Sequence, residues 1–594
     1  MTLVLSSRQP HVARGRGLPA LLGWLLVASL LLPAGQSGAR LADALISVIV
    51  REAPGAGGVP EQLVASSGGI VGLELSIIDG FAAELPPAAV AGLAANPAIA
   101  SITPNLSVEL QGGGYAPASD VGSMHQISRL VGATAYWAAG ITGSGVDVAI
   151  IDSGVSPVVG LDGPGKIVRG PDLSFESQAD NLRHLDTFGH GTFMAGLIAG
   201  HDAGAMVNRG LTVQGYAGIA PDARIVSVKV ADAHGATDVS QVIAAIGWVV
   251  QHRNDPGLNI RVLNLSFGTY GAQPYDLDPL AFAAEAAWHA GIFVVVSAGN
   301  NAPESGRLMN PAMDPFVMAV GATSPNGTVR IKDDTLFASS ARGDGVRNPD
   351  LVAPGRSVQG LRVPGSHVDL TFPGGRISDR FFRGSGTSQA AAIVSGAAAL
   401  VIQQRPQISP DELKLLLTST ARDLPAADAR GQGAGMLSLD LALRAPTTPT
   451  VQPWARSTGT GSLELARGGN HLILDGVALE GERDLFGAPF DSAAMAAATL
   501  AGTAWTGGTW NGSVWTGDGW AGNEWSSVTW SSTSWSGNEW SGNEWSGNEW
   551  SGNEWSGNEW SANEWSANEW SANEWSANEW SSQVWQSADW SASR

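Results

Sequence analysis

Short apolar runs alternate with longer stretches of helical spacing through the middle of the chain. The apolar runs span residues 146–151, 224–230, 262–265 and 292–296. The helical stretches between them include residues 239–251 and 280–290. Strands that are buried on both faces, as in a parallel sheet, are nearly continuous in apolar residues. The alternation therefore predicts an α/β domain, a doubly wound and mostly parallel sheet with helices on both faces, over residues 122–443.

A smaller unit with its own pattern precedes this domain. Its segments follow the order β-α-β-β-α-β between residues 44 and 103, and a glycine-rich linker follows at residues 111–114. That order is typical of a small ferredoxin-like α+β domain. Its place in front of a larger domain is the place of a propeptide.

The first 39 residues have the pattern of a secretory signal peptide. Arg8, Arg14 and Arg16 precede an apolar run at residues 18–32, and small residues follow at residues 37–39. A basic start, an apolar run and a small-residue cleavage site are typical of such a signal. The run is shorter than the roughly 20 residues that span a bilayer, so cleavage is favoured over a retained membrane anchor. We therefore expect a secreted, extracellular protein.

Composition and charge exclude several classes of function. The chain of 594 residues contains no Cys, which excludes a disulfide framework, a thiol nucleophile and cysteine-ligated metal sites. The formal net charge of −21, with a pI near 4.8, argues against nucleic acid as a partner.

The last 90 residues carry about half of this charge in a repeat. From Trp505 to Trp590 a Trp occurs at every fifth residue, with the core unit Ser-Gly/Ala-Asn-Glu-Trp. Five residues place successive Trp side chains on different sides of a helix or a single strand. Two interpretations stay open, a solenoid of stacked coils and a flexible chain. The flexible chain is favoured because Trp is almost the only apolar residue that could form a core.

Three motifs in the central domain carry groups that could react. They are Asp152-Ser-Gly-Val, Asp186-Thr-Phe-Gly-His190-Gly-Thr and Gly384-Ser-Gly-Thr-Ser388. A lone Asp or Ser at the end of a strand or the start of a helix is usually a cap or a turn residue. Together, however, the motifs supply a nucleophile, a base and a carboxylate. Because the ends of such elements converge at one edge of a parallel sheet, we expect the three side chains to meet.

In the chain order Asp, His, Ser, these motifs resemble the subtilisin-like serine proteases. Chymotrypsin-like enzymes and α/β-hydrolases have other orders. Further blocks agree with the family pattern, namely Gly218-Ile-Ala-Pro-Asp222, Leu263-Asn-Leu-Ser-Phe-Gly268, Val296-Ser-Ala-Gly-Asn-Asn301 and Val352-Ala-Pro-Gly355. Residues 80–103 are similar to the family's inhibitory propeptide. The resemblance covers residues 44–443 and implies a subtilisin-like fold.

The resemblance also implies a role for each residue of the site. Ser388 would be the nucleophile, His190 its general base, and Asp152 the group that orients the base. The side-chain amide of Asn300 and the backbone N–H of Ser388 would form the oxyanion hole. The segments implied as substrate-binding walls are Ser266, Phe267, Gly268 and Ser297, Ala298, Gly299.

The chain departs from the family pattern directly after two of the motifs. Phe193-Met194 stand where the family usually has His-Val, and Gln389-Ala-Ala-Ala392 follow the nucleophile. These changes fall on the predicted helices behind the catalytic groups. They affect helix packing and leave the reacting groups in place.

The sequence thus predicts a secreted serine endopeptidase that acts on proteins or peptides and is made as an autoprocessed zymogen, with its propeptide as an intramolecular inhibitor. The chemistry requires no cofactor. Structural calcium is conceivable in an acidic loop such as residues 176–181, but no ligand spacing supports it. The competing hypothesis is an inactive protease scaffold that binds a surface, such as cell-envelope material or carbohydrate, through its Trp-rich tail.

The expected organisation divides the chain into five parts. They are a signal peptide (1–39), an inhibitory propeptide (40–114), a peptidase domain (115–445), a linker with a short β-rich segment (446–504) and the repeat tail (505–594).

Overall fold

A computed structural model describes most of the chain between residues 45 and 515. The described residues are 45–105, 115–179, 181–205, 215–302, 306–474, 477–515 and 531–532. The predicted signal peptide lies outside them, as does the tail after Trp515 apart from residues 531–532. The chain divides into two units, residues 1–111 and residues 112–594.

The first unit is a four-stranded antiparallel sheet with two helices. Its elements are β1 (Ile46–Glu52), α1 (Val59–Ser66), β2 (Ile70–Leu75), β3 (Gly80–Leu85), α2 (Pro87–Ala94) and β4 (Ile99–Pro104). The strands lie in the order β2-β3-β1-β4, and every pair is antiparallel. Val50, Phe81 and Leu85 are buried in its core. The order of strands and helices is the one expected from the sequence.

The second unit is built around an eight-stranded sheet. Its strands are β5 (Asp147–Asp152), β6 (Ile167–Asp172), β7 (Arg224–Lys229), β8 (Ile260–Leu265), β9 (Phe293–Ser297), β10 (Met318–Ser324), β11 (Thr335–Leu336) and β12 (Leu351–Pro354). They lie in the order β11-β10-β9-β8-β5-β7-β6, with β12 also paired to β10. Only the pair β10–β11 is antiparallel. The predicted mostly parallel sheet is confirmed.

Helices cover this sheet, and a hairpin lies beside it. The helices are α3 (Met124–Leu130), α4 (Ala133–Ala138), α5 (His190–Ala199), α6 (Val239–His252), α7 (Pro279–His289), α8 (His367–Thr371), α9 (Thr387–Gln404), α10 (Pro410–Ser419), α11 (Ala429–Gln432) and α12 (Leu439–Ala442). The hairpin strands are β13 (Val358–Leu361) and β14 (Phe381–Gly384). Helix α5 packs on α9 and helix α6 on α7, and both pairs contact the sheet. No helix among the described residues has both the length and the apolar character that a bilayer crossing needs.

The hydrophobic pattern located β5, β7, β8 and β9 to within two residues of their observed bounds, but it did not include β10, β11 or β12. It missed β6, whose sequence Ile-Val-Arg-Gly-Pro-Asp breaks the apolar run. β6 lies at the edge of the sheet, and its first three residues are partly or fully exposed. An edge strand needs fewer apolar residues than a central one and tolerates Pro and Gly.

Residues 450–515, here called the C-terminal module, do not behave as the expected linker and joining segment. Their elements are α13 (Leu463–Arg467), β15 (Leu472–Leu474), β16 (Val477–Ala478), α14 (Ser492–Ala501), β17 (Trp505–Thr506), β18 (Thr509–Trp510) and β19 (Ser513–Val514). A further strand, β20 (Ser531–Ser532), pairs with β15. Leu463, Leu485 and Phe490 belong to the same hydrophobic cluster as the central sheet. The expectation of a boundary at residue 446 is therefore corrected, because the core continues into this module.

A buried ion pair joins the module to helix α6. The Arg467 guanidinium lies 2.7 Å from the Asp238 carboxylate, and both side chains are fully buried. Asp238 also accepts the backbone N–H of Ser240 at 2.8 Å and so caps the first turn of α6. Loss of either partner would leave an uncompensated charge in the core.

The five-residue repeat begins as a folded β-meander. Strands β17, β18 and β19 pair antiparallel, with Trp505 directly opposite Trp510. The turns at residues 507–508 and 511–512 have positive φ at both positions, which suits two-residue hairpins. Trp505, Trp510 and Trp515 are 4%, 1% and 0% exposed. Tight turns thus gather the Trp residues, which the periodicity of a single strand or helix cannot do.

The buried Trp505 predicts a strong effect of substitution on stability. Its indole N–H donates to the Ala244 carbonyl of α6 at 2.8 Å. Trp505→Ala should lower the free energy of unfolding by about 3–5 kcal/mol. Trp454→Ala is the matched control, because Trp454 is 51% exposed and a surface change costs about 0.5 kcal/mol or less. Denaturant unfolding of both variants checks this, and equal losses would mean that the module does not stabilise the unit built around the eight-stranded sheet.

Candidate active site

The end of strand β5 lies where the winding of the sheet changes direction. β5 has β7 on one side and β8 on the other, and the chain crosses from one side of β5 to the other between β7 and β8. In an open α/β sheet this position leaves a crevice at the carboxyl ends of the strands. Asp152 is the last residue of β5, so its carboxylate stands at that crevice.

His190 meets Asp152 from the first residue of helix α5. The imidazole Nδ1 lies 3.0 and 3.1 Å from the two carboxylate oxygens. The side chains are 0% and 1% exposed. A carboxylate that accepts from Nδ1 fixes the orientation of the ring and leaves Nε2 on the opposite side.

Glycines allow helix α5 to come this close to the turn after β5. A Cβ added at Gly191 would overlap the carbonyl oxygen of Gly154 and lie 3.0 Å from Asp152 Oδ1. Gly154 itself has φ +105° and faces the Leu185 carbonyl. The glycines of the two motifs are therefore required for the Asp152–His190 contact.

A second layer of hydrogen bonds, which the sequence did not point to, holds this pair. Asp186 accepts the backbone N–H groups of Gly189 at 2.6 Å and Thr192 at 2.7 Å, at the start of α5. The Ser153 hydroxyl donates to Asp186 at 2.8 Å and accepts the N–H of Gly191 at 3.0 Å. Burial raises the pKa of the Asp186 carboxyl, against the lowering effect of those N–H donors. The signal that could have found it is an Asp four residues before His190, at a helix start.

Lys229 places a buried positive charge next to the same turn. In the register of β5 and β7 it is the residue opposite Asp152, and its side chain is fully buried. Its ammonium donates to the Ser153 carbonyl at 2.6 Å and lies 3.0 Å from Glu176. Glu176 also accepts the Thr187 hydroxyl at 2.6 Å. Glu176, in the acidic loop considered for calcium, thus forms an ion pair with a lysine. The described residues contain no group of three or more metal-ligating side chains.

Ser388 is the second residue of helix α9 and lies beside the end of β8. Its hydroxyl donates to the Ser266 carbonyl at 2.8 Å. In return the Ser266 hydroxyl donates to the Ser388 carbonyl at 3.2 Å. These bonds hold the start of α9 against the strand that ends at Leu265.

Asn300 presents a hydrogen-bond donor with no partner. Its carbonyl oxygen accepts the backbone N–H of Thr387 at 2.9 Å and the Thr387 hydroxyl at 3.1 Å. These bonds fix the amide next to Ser388. Its Nδ2 is buried and finds no acceptor among the described residues. A buried donor left unused in a native fold is unusual, and this one suits a substrate oxygen.

The two segments expected as substrate walls differ in what their backbone groups bind in the structure. Phe267 and Ala298 are fully buried, so their side chains belong to the core. The Ala298 carbonyl accepts the N–H of Met309 at 3.1 Å, and the Gly299 carbonyl accepts the N–H of Ala341 at 2.8 Å. Residues 297–299 therefore form a wall inside the fold. Pairing of a substrate backbone with residues 266–268 stays a prediction.

The departures from the family pattern are buried behind the site. Phe193 and Met194 are 1% and 0% exposed, and the Phe193 ring fills the space that a side chain at Gly360 would need. Gln389 is fully buried, and its amide finds no partner among the described residues. Helix packing thus buries all three side chains behind the site.

Comparison with known proteins gives consistent relatives. The model of the subtilase family of peptidases matches residues 143–435. Serine protease AprX of Bacillus subtilis is 35% identical over 307 residues, which are 50% of this chain and 66% of AprX. An alkaline protease of Alkalihalobacillus alcalophilus is 32% identical over 362 residues, 61% of this chain and 78% of the relative. Subtilisin Savinase of Lederbergia lenta is 32% identical over 296 residues, 50% of this chain and 90% of the relative.

The chain belongs to the subtilase family. It is a subtilisin-like serine endopeptidase by class, as the motifs had indicated. The matched region contains Asp152, His190, Asn300 and Ser388. It ends before the C-terminal module, so the family model does not account for residues 450–515.

Because Gly191 lies against Gly154, we expect a side chain at Gly191 to lower the stability and activity of this subtilase. Gly191→Ala should push α5 away from Gly154, cost about 1–3 kcal/mol of stability and lower kcat at least about 100-fold by separating His190 from Asp152. Gly204→Ala is the control, since a Cβ there meets nothing within 4 Å. Peptide hydrolysis and thermal unfolding measure both effects. An active Gly191→Ala enzyme would show that the contact is not needed.

Proposed function

We propose that the chain cleaves peptide bonds by an acyl-enzyme mechanism with Ser388 as nucleophile, His190 as general base and Asp152 as the residue that orients His190. The observation that carries the proposal is the buried 3.0 Å contact between His190 and Asp152 beside the start of α9. A serine hydroxyl attacks a carbonyl at neutral pH only when a base takes its proton. His190 is held so that Nε2 remains for that proton.

The negative charge of the tetrahedral intermediate would be received by two donors. One is Nδ2 of Asn300, which is buried and has no acceptor among the described residues. The other is the backbone N–H of Ser388, in the first turn of α9, where N–H groups have no acceptor within the helix. The positive end of the α9 dipole adds to the stabilisation. His190 then returns the proton to the leaving amine, and a water repeats the cycle to release the acyl group.

Secretion and self-processing complete the proposal. The first 39 residues have the pattern of a signal peptide, and residues 46–104 lie in a compact unit of their own. A relative, the minor extracellular protease Epr of Bacillus subtilis, is named as extracellular. These observations support a secreted zymogen whose first unit is an inhibitory propeptide, with proteins or peptides as substrates.

The alternative, an inactive scaffold that binds a surface through its tail, lacks support at the site. A decayed protease would be expected to lose at least one of Asp152, His190, Asn300 and Ser388, and all four are present. The region of the tail that could bind carbohydrate or cell envelope lies outside the described residues.

Self-processing gives the first test. The secreted protein should lose its first unit, with a new N-terminus between residues 105 and 122, whereas Ser388→Ala should keep it because the nucleophile is gone. Ser395→Ala is the matched control on the same helix, where the hydroxyl only donates to Asn264 at 2.9 Å. N-terminal sequencing and intact mass measure the outcome. Equal processing of the Ser388→Ala protein would assign the cleavage to another protease.

The oxyanion role gives a second test. Asn300→Ala should lower kcat about 10²–10³-fold with little change in KM, a magnitude taken from the corresponding substitution in subtilisin. Active-site titration of the purified enzyme separates this loss from misfolding. A variant with unchanged kcat would remove Asn300 from the mechanism.

A further inference from the structure

Two positively charged side chains bind most of the carbonyl groups of one loop beside the segments expected as substrate walls. The loop, residues 311–317, leads from Asn310 into β10. Arg347 donates from Nε to the Ala312 carbonyl at 3.0 Å, and from Nη2 to the carbonyls of Asp314 at 3.0 Å and Val317 at 3.3 Å. A single guanidinium thus binds both ends of the loop.

Lys414, from helix α10, covers the carbonyls between those ends. Its ammonium donates to Pro315 at 2.7 Å, Phe316 at 3.3 Å and Val317 at 2.9 Å. Arg347 and Lys414 together bind five of the seven carbonyl groups of the loop. Hydrogen bonds from charged donors are stronger than those from neutral ones, so the two side chains restrain the loop effectively.

Asp350 holds the two positive charges together. It lies 2.9 Å from Arg347 and 3.0 Å from Lys414, and it accepts the N–H of Ala319 at 2.8 Å. The side chains of Arg347, Lys414 and Asp350 are 18%, 10% and 13% exposed. Although burial raises it, the two cations hold the pKa of Asp350 below its usual range. The group is therefore a pair of cations around one carboxylate, with net positive charge toward the carbonyl dipoles.

Met309 and Asn310, directly before the loop, contact the two segments expected as substrate walls. A Cβ at Gly299 would lie 2.7 Å from Met309 Cγ, and a Cβ at Gly268 would lie 2.7 Å from the Asn310 carbonyl oxygen. Asn310 and Thr269 exchange backbone hydrogen bonds of 2.8 and 2.9 Å. Met309 and Asn310 therefore pack closely against Gly299 and Gly268.

We propose that Arg347 and Lys414 are positioning residues for the substrate pocket, which fix the loop at residues 311–317 by its carbonyl groups and so set the spacing between residues 266–268 and 297–299. They touch neither the substrate nor the reacting atoms. The inference rests on the proposed function of those two segments. It extends that function by assigning substrate selectivity to charges outside the pocket.

The geometry also implies a pH limit for the pocket. Burial lowers the pKa of Lys414 to about 8, and burial raises the pKa of Asp314 to about 8. The charged groups that face Lys414 are Asp350, Arg347 and Asp314, and Glu285 of α7 acts on Asp314. Loss of the Lys414 proton takes the charged donor away from the carbonyl groups of residues 315–317, which releases that part of the loop. KM should therefore rise through pH 8 while kcat does not follow it.

The test compares kcat and KM for peptide substrates that differ only in the side chain before the cleaved bond. Lys414→Met should lower kcat/KM for the preferred substrate between about tenfold and a hundredfold, mostly through KM, with reduced discrimination among the substrates. Its KM should no longer change through pH 8. Arg347→Lys, which keeps the charge but loses the fork of donors, should fall between wild type and Lys414→Met.

Lys166→Met is the matched control. Lys166 is a partly buried lysine whose pKa is lowered to about 8 by desolvation. It binds the carbonyls of Pro221 and Ala223 before strand β7, at the opposite edge of the sheet. This variant should lose stability but keep the KM and selectivity of the wild type. Equal KM changes in Lys166→Met and Lys414→Met would overturn the inference, because the effect would then be general loosening.

Two further measurements keep the inference separate from the proposed function. A fluorophosphonate should label Ser388 in wild type and in Lys414→Met alike. Absence of labelling in wild type would overturn the proposed function itself. Labelling with unchanged KM in Lys414→Met would overturn only the role of the charges. If Lys414→Met does not fold, the wild-type KM–pH profile decides, and a flat profile through pH 8 counts against the inference.

Discussion

The carboxyl end of strand β5 is the fixed point from which the active site is built. Parallel pairing with β7 and β8 sets where β5 ends, and Asp152 is its last residue. Helix α5 reaches that carboxylate because Gly191 lies against Gly154, where a side chain has no room. Helix α9 is set by the exchange of bonds between Ser266 and Ser388. The chemistry of the site is thus a consequence of strand register and of close backbone approach.

In this chain without cysteine, buried ion pairs hold together several segments that are distant in the sequence. Lys229 meets Glu176 beside the catalytic turn, Arg467 meets Asp238 under the C-terminal module, and Lys414 meets Asp350 beside the substrate walls. Each pair joins segments that are far apart in the sequence. A buried pair of this kind need not add stability over an apolar contact, but removal of one partner is severe. Such pairs therefore favour one arrangement of the segments over its alternatives.

The peptidase unit extends beyond the region that the family shares. The family match ends at residue 435, whereas the hydrophobic cluster around the central sheet continues to Trp515. The first three Trp residues of the repeat are part of that cluster, and the ring centroids of Trp510 and Trp515 lie 5.4 Å apart in an edge-to-face contact. The repeat thus begins as a structural element of the enzyme. Its function in the remaining units is a separate question from catalysis.

The sequence by itself determined the α/β class, four strands of the central sheet to within two residues and the pair of residues, Asp152 and His190, that meets at the end of β5. Strands buried on both faces must be apolar, and reactive groups at strand ends must converge, so both features are written in local patterns. Only the tertiary structure showed that Asp186 and Lys229 bond to the turns that carry Asp152 and His190, since the partners of a buried charge are distant in sequence. It also decided that residues 450–515 belong to the core, because turns with positive φ, and not the period of five, bring the Trp side chains together.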